Sequence, residues 1–351
     1  MSTIKQVAEL AGVSIGTVSH VITGSVPVSK RLRTKVQAAI LELNYYPNHV
    51  ARSLKTSKTR TLGIVVPDLT IPFFPRVIRG AEEAALQRRY SLVAVNSDDN
   101  AGRERELLSL LRSQRVEGIL LVVAAGAAPI GEGHEMRDSG VSLVYLDRIP
   151  DGLQGDSVSV DSFAAADMGT SHLISMGHRS IAIVTGSLSL RNEQERLQGY
   201  QQALRHAGIK LQDKLIWEGN FRPEDVAGIC RARLVKERER PTALFSTNGP
   251  TGLGVLRALR DCHLRTPEDI GFVTFDELTI DDLFTPSVTA VVQPAYEIGF
   301  RAAEILIKRI EEGQVRGGPI TARLPAKLEI RESSCLVRPR AGQSRTQKGA
   351  S

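Results

Sequence analysis

From residue 61 onward the chain alternates between two periodicities, and no feature constrains its fold more. "TLGIVVPD", "YSLVAVNSD", "GILLVVAAG", "VSLVYLD", "DSVSVD", "SIAIVTG", "TALFSTN" and "IGFVTFD" are short runs rich in Val, Ile and Leu. Most are separated by stretches of helical period, at 73–88, 101–113, 162–176, 194–207, 223–235 and 249–260. Short continuous apolar runs suit strands buried on both faces. Strands that alternate with helices lie parallel, with helices on both sides of the sheet. The alternation fills about 230 residues, more than one small doubly wound sheet holds, so the reading is two similar lobes. "TGLGVL" after "ALFSTN" has the wrong glycine spacing for a dinucleotide loop, and no acidic partner is clearly placed downstream.

The first 60 residues follow another plan. Ile4, Val7, Ala8 and Ala11 form the apolar stripe of a short helix, with Thr3 and Gln6 as its capping box and Gly12 at its end. Ser14 caps a second helix that runs to about Ile22 and buries Val18, Val21 and Ile22. Ser29 caps a third, with Leu32, Val36, Ala39, Ile40 and Leu43 on one face. G-V-S-I-G at 12–16 matches the G-x-S-x-G elbow of serine hydrolases. An elbow, however, needs a buried strand before the serine, and here a helix and a turn precede it. Three short helices with a tight first turn are the plan of a helix-turn-helix module. Charge separates that module from an ordinary three-helix bundle. Residues 1–60 carry nine Lys and Arg against two acids, a net of +7, while the whole chain is +6. A basic head on a near-neutral body is the footprint of a polyanion partner.

No stretch approaches the roughly 20 apolar residues that span a bilayer, and the start lacks the pattern of a signal peptide. Cys230, Cys262 and Cys335 are far apart and odd in number, which suits reduced thiols. The seven histidines show no zinc spacing. The expectation is a cytoplasmic protein with no membrane partner, no cofactor and no metal. "NYYPNHVARSLKTSKTR" at 44–60 is a basic connector: Pro47 breaks the third helix, Asn48 can cap another, and "HVARSLK" makes only two turns, too few to be stable alone in water.

The head "TIKQVAELAGVSIGTVSHVI", the bridge "LNYYPNHVARSLKT" and the body segments "LGIVVPD", "GHRSIAIVTG", "RLQGY" and "FTPSVTAVVQP" resemble the LacI–GalR family of bacterial repressors over nearly the whole chain. The resemblance implies an α/β protein: a small all-α helix-turn-helix head plus a two-lobed, periplasmic-binding-protein-like body of doubly wound parallel sheets. The expected domains are the head at 1–47, a hinge helix and linker at 48–60, the body at 61–332 and a disordered tail at 333–351. Lobe 1 takes about 61–160 and 292–322 and lobe 2 about 162–290 and 323–332, with crossovers near 160–162, 290–293 and 322–324. The implied function is a transcriptional regulator of the repressor type and not an enzyme. It would bind a pseudo-palindromic double-stranded operator as a homodimer, under control of a small-molecule effector held between the lobes. Leu336 and Val337 in the polar, basic tail make no heptad, so a dimer and not a tetramer is expected.

By the same resemblance Ile15, Gly16 and His20 read base edges in the major groove. His20 can donate to guanine N7 or O6, and Ile15 can meet a thymine methyl. Thr17 also points away from the core. Ser14, Ser19 and the helix N-termini, that at Thr3 included, suit phosphates. Leu54 matches the family's minor-groove wedge, which kinks the DNA at a central step. Asn48, Arg52 and Lys55 share its hinge, with Arg52 and Lys55 set against phosphates or the minor groove.

Ligands of open parallel sheets bind beyond the carboxyl ends of strands. The residues just after the strands include Asp68, Phe73, Phe74, Asp147, Arg148, Arg191, Arg196, Asn220, Phe221, Asn248 and Asp276. Aromatic rings for a flat face, with carboxylates, Arg and Asn to hold paired hydroxyls, suit a sugar or related polyol. The resemblance places effector contacts at Phe73, Arg148, Arg196, Asn248 and Asp276, joined by Phe221 and Gln293. A nucleobase sandwiched by aromatics is the alternative effector. Asp147 and Asp276 could suggest a sugar-acting hydrolase, but nothing in the sequence fixes their separation or names an acid and a base. A free solute-binding protein sits poorly with the basic head.

Overall fold

The computed structural model describes residues 2–23, 26–45, 58–126, 140–150, 152–153, 155–236, 240–278, 285–313 and 318–334. The chain divides into two compact units, Met1–Thr59 and Arg60–Ser351.

In the first unit, Thr3 starts α1 (Ile4–Ala11) with a full capping box: Thr3 N donates to Gln6 Oε1 at 2.8 Å, and Gln6 N donates to Thr3 Oγ1 at 3.4 Å. Gly12 ends the helix at φ +64°, a conformation that glycine adopts without strain. Ser14 Oγ accepts from Thr17 N at 3.1 Å and so caps α2 (Ile15–Thr23), while Ser29 caps α3 (Lys30–Glu42). Val7, Ala8, Ala11, Val18, Val36 and Ala39 form the core. Val21 and Ile22, expected to be buried, pack against it half-buried.

The second unit holds two six-stranded sheets. The first contains β1 (Thr61–Val66), β2 (Ser91–Asn96), β3 (Gly118–Leu121), β4 (Ser142–Leu146), β5 (Asp156–Val160) and β11 (Thr321–Leu324). Their order is β11-β5-β4-β3-β1-β2, and every pair is parallel. Leu62, Ile64 and Val66 of β1 face one core, with α4 (Phe73–Gln87) and α10 (Ala295–Glu312). Val65 faces the other, with α5 (Ala101–Ser113). Burial on both faces is why these strands are continuous apolar runs in sequence.

The second sheet is built the same way from β6 (Ile181–Thr185), β7 (Ile216–Glu218), β8 (Ala243–Ser246), β9 (Gly271–Phe275), β10 (Thr289–Val292) and β12 (Lys327–Glu329). Helices α6 (Ser162–Ser175) and α7 (Arg191–His206) cover one face; α8 (Pro223–Leu234) and α9 (Gly249–Asp261) cover the other. The order is β12-β10-β9-β8-β6-β7. This sheet is not purely parallel, because β12 pairs antiparallel with β10 at the edge.

The chain passes between the sheets after Val160, after Val292 and after Leu324. Residues 323–324 continue β11 in the first sheet, so the third passage falls beyond the expected 322–324. Helices α4 and α10 cross backbone to backbone. A Cβ on Gly299 would lie 1.9 Å from the Val77 carbonyl oxygen, and one on Gly80 would lie 2.0 Å from that of Tyr296. The described chain also runs two residues into the expected tail. Ser333 Oγ donates to Phe272 O at 2.7 Å, and Ser334 Oγ lies 2.8 Å from His172 Nε2. Those buried bonds hold the 3-10 turn Glu332–Ser334 in place. Residues 335–351 lie outside the described residues.

Candidate functional site

Helix α2 buries Val18 completely and turns Ile15, Gly16 and His20 outward, with Thr17 and Ser19 half-buried beside them. Ile15 keeps 45% of its surface exposed, so it contributes little to the core. An apolar side chain and a position with none in the first turn, and an imidazole in the last, are thus exposed on one short helix, a combination that suits base edges in a groove. Ser14 Oγ lies 3.0 Å from Thr17 Oγ1, and both hydroxyls stand at the capped N-terminus, where an anion is favoured. Lys5, Lys30, Arg31, Arg33 and Lys35 are exposed on the same unit. Asn48, Arg52, Leu54 and Lys55 lie outside the described residues.

In the second unit, strand ends of both sheets face a cavity of about 320 Å³. It is lined by Asp68, Ile71 and Phe73 from the first lobe and by Phe221, Leu253, Asp276 and Leu278 from the second. Phe74 does not line this cavity: its ring meets Phe73 edge-on at 5.2 Å, and both rings also pack in the core under α4. Asp147 and Asp276 follow β4 and β9 directly, at φ +55° and +68°. Gln293 Nε2 donates to Asp276 Oδ1 at 2.8 Å. Arg148, almost fully buried, lays its guanidinium 4.5 Å over the Phe221 ring and donates to Asp99 Oδ1 and to Val123 O.

Arg196 rises from α7 into the centre. Its guanidinium lies 4.0 Å over the Phe275 ring, and Nη1 donates to Thr247 O at 2.7 Å and to Glu193 Oε1 at 3.1 Å. Its Nη2 stands 3.9 Å from Asp147 Oδ1, an ion pair too long for a hydrogen bond. Asn248 caps α9, with Oδ1 accepting from Thr251 N and Nδ2 donating to Glu193. Of the expected effector residues, all but Phe74 thus gather around the opposing strand ends.

Burial pushes the Asp147 carboxyl above its ordinary range, against the pull of Arg196 and Arg148 and with the push of Glu193. Enclosure pushes Asp276 up to about 6, with Arg196 and the Gln293 hydrogen bond opposing and Asp147 and Glu193 adding to the rise. Asp147 Oδ1, Gln293 Oε1 and Arg196 Nε and Nη2 are buried without a hydrogen-bond partner. Such atoms cost about 1–3 kcal/mol each when left unpaired.

Sequence reasoning missed four contributors. Asp99 holds Arg148, Glu193 and Thr247 hold Arg196, and Glu277 accepts from Arg76 of α4 at 2.9 Å and from Arg331 at 2.7 Å, tying the two lobes together. Glu193 carried one signal: it falls on the same helical stripe as Arg196, Gly199, Tyr200 and Ala203, all buried, and acids are almost never fully buried unless paired. A second cavity of about 320 Å³, lined by Asp147, Ser157, Ser159, Asn192, Thr321 and Arg323, lies against two of the crossing segments.

The likenesses to known proteins divide along the same boundary. Residues 3–48 match the family described as bacterial regulatory proteins, lacI family, and residues 170–334 match the periplasmic binding protein-like domain. The ribose operon repressor of Escherichia coli (strain K12) is 37% identical over 313 residues, covering 89% of this chain and 94% of that protein. The HTH-type transcriptional repressor PurR of Vibrio atlanticus (strain LGP32) is 37% identical over 312 residues, covering 89% and 93%. The lac repressor dimer bound to operator and the anti-inducer ONPF superposes with a TM-score of 0.80 at 26% identity, covering 95% of this chain and 99% of that one. An exposed helix face on a basic head, a cleft of unpaired polar groups and relatives of this length and identity lead to one conclusion. The chain belongs to the lacI family of bacterial regulatory proteins, transcriptional repressors with a DNA-binding helix-turn-helix head and an effector-binding body.

Proposed function

We propose that this repressor binds a pseudo-palindromic operator as a homodimer and that its effector is an uncharged, sugar-like polyol held in the cleft between the two lobes. The observation that carries the reading is the set of buried, unpaired groups at the cleft. Arg196 Nε and Nη2 offer donors, and Asp147 Oδ1 and Gln293 Oε1 offer acceptors. A hydroxyl both donates and accepts, so adjacent hydroxyls can satisfy both kinds at once. One similar protein is named for the ribose operon, which fits that chemistry. The two cavity-lining rings, Phe73 and Phe221, favour a nucleobase as the second reading. Arg148 already occupies one face of Phe221, which leaves less room for a flat aromatic sandwich.

In this reading Phe73, Asp147, Arg148, Arg196, Phe221, Asn248, Asp276 and Gln293 form or support the effector site. Ile15, Gly16 and His20 meet base edges, and Thr3, Ser14, Thr17 and Ser19 meet phosphates. Asn48, Arg52, Leu54 and Lys55 act at the minor groove and the adjacent backbone. Calorimetric titration of sugars into the wild-type chain and Asp276→Ala tests the effector half. The variant should bind at least about tenfold more weakly, a loss of about 1.4 kcal/mol. Unchanged affinity in a folded variant would remove Asp276 from the site.

A further inference from the structure

Glu193 has no exposed surface, yet both of its oxygens are fully engaged. Oε1 accepts from Arg196 Nη1 at 3.1 Å and Asn248 Nδ2 at 3.0 Å; Oε2 accepts from Gly186 N at 2.9 Å and from the Thr247 hydroxyl. Those four donors come from three places: the loop after β6, the loop between β8 and α9, and the first turns of α7. A buried carboxylate persists only when partners of this kind surround it, and an apolar residue would pack there at less cost. Stability alone does not account for an acid at this point.

The consequence falls on Arg196. Glu193 and Thr247 O fix its Nη1, Phe275 lies under its plane, and the opposite Nε–Nη2 edge is buried without hydrogen-bond partners, its Nη2 in a long 3.9 Å ion pair with Asp147 Oδ1. We infer that Glu193 is the positioning residue of the effector site. It holds the Arg196 fork at a fixed angle, with two parallel N–H groups presented to neighbouring oxygens of the effector. This inference rests on the proposed reading of the cleft. Glu193 also offsets the charge of Arg196, while Asp147 and Asp276 add further acid, so the site takes an uncharged ligand with adjacent hydroxyls and turns away phosphate esters and carboxylates. Asn248 matches the arrangement, since an acid there would set a second carboxylate against Oε1.

The test uses the full chain with D-ribose, D-glucose and adenine as calorimetric probes, and D-ribose 5-phosphate as the charged comparison. Any probe that binds wild type should bind Glu193→Gln at least tenfold more weakly. On an Arg196→Ala background the same change should cost less than twofold, because Glu193 acts through Arg196. The phosphate ester should bind wild type at least tenfold more weakly than ribose, or not at all. A ligand-free readout is independent of effector choice: nitrogen-15 arginine spectra should show separate, slowly rotating Nη signals for Arg196, and these should merge in Glu193→Gln. Unchanged probe affinity in a folded Glu193→Gln, equal losses on both backgrounds, tighter binding of the ester or an unchanged guanidinium signal would each overturn the assignment. If wild type binds none of the probes, that result counts against the effector class, and the guanidinium signal alone then decides the role of Glu193.

Discussion

Asp147 and Asp276 hold backbone conformations at φ +55° and +68° that few non-glycine residues adopt. Asp enters this region more readily than most side chains, so the cost is modest. Asp276 carries a second cost, since its carboxyl is pushed from an ordinary 3.8 up to about 6. Between those values the folded chain holds a proton that the unfolded chain has released, so stability from this group falls as pH rises through the window. Asp276→Asn should therefore stabilise the ligand-free protein at pH 7, by on the order of 1–3 kcal/mol, and should flatten the stability slope between about pH 4 and 6. Effector binding should show the opposite trend in wild type, weakening as pH falls through about 6 because a protonated Asp276 accepts fewer hydroxyl donors. Denaturant unfolding and calorimetry across that range read both effects. A destabilised Asp276→Asn would refute the first. At this scale the sequence disclosed residues that directly follow strands, such as Asp147, Asn248 and Asp276. It did not disclose Glu193 or Asp99, whose roles depend on pairings with residues up to 55 positions away.

Among the elements, the alternation of apolar runs and helical stretches was legible because both faces of each sheet are buried. Strand β12 was not, since three residues carry no period and only its pairing with β10 defines it. Helix α7 begins at Arg191, before the apolar stripe that suggested 194. Adjacent aromatics look alike in sequence: Phe73 and Phe74 both pack in the core of the first sheet, and of the two only Phe73 also lines the cavity. The crossing of α4 and α10 gives a sharp prediction. Gly299→Ala forces a methyl to within 1.9 Å of the Val77 carbonyl oxygen, and backbone cannot yield as a side chain can. A loss of about 1–3 kcal/mol or more is expected in urea unfolding, whereas alanine at Gly228, with nothing within 4 Å, should be neutral or mildly stabilising. The hinge offers another test. Leu54→Ala should weaken operator binding by about 1–3 kcal/mol and leave binding to random DNA nearly unchanged, since a wedge acts through bending and non-specific binding through phosphates. Equal losses on both DNAs would exclude the wedge.

For the molecule as a whole, the family resemblance carried the plan of head and two-lobed body, and the two sheets joined by three passages agree with it. How the lobes hold each other was out of reach of the sequence. The bridge from Arg76 to Glu277 and Arg331, the Arg148–Phe221 stack and the Arg196–Asp147 pair join residues remote in sequence. An effector can change operator affinity only by favouring one arrangement of the lobes over another, so these contacts are where its free energy must act. Sedimentation at micromolar concentration should give a dimer; a tetramer would contradict the reading of the tail. The central claim is that the cleft governs DNA binding without contributing to it. Fluorescence anisotropy on DNA from the gene's own upstream region, with and without the sugar that calorimetry identifies, measures this directly in wild type and Asp276→Ala. Wild-type operator affinity should change at least tenfold when the sugar is added. Asp276→Ala should bind the DNA within about twofold of wild type without sugar and respond little to it. An equal response in both proteins, or none in wild type at a saturating sugar concentration, would contradict the claim.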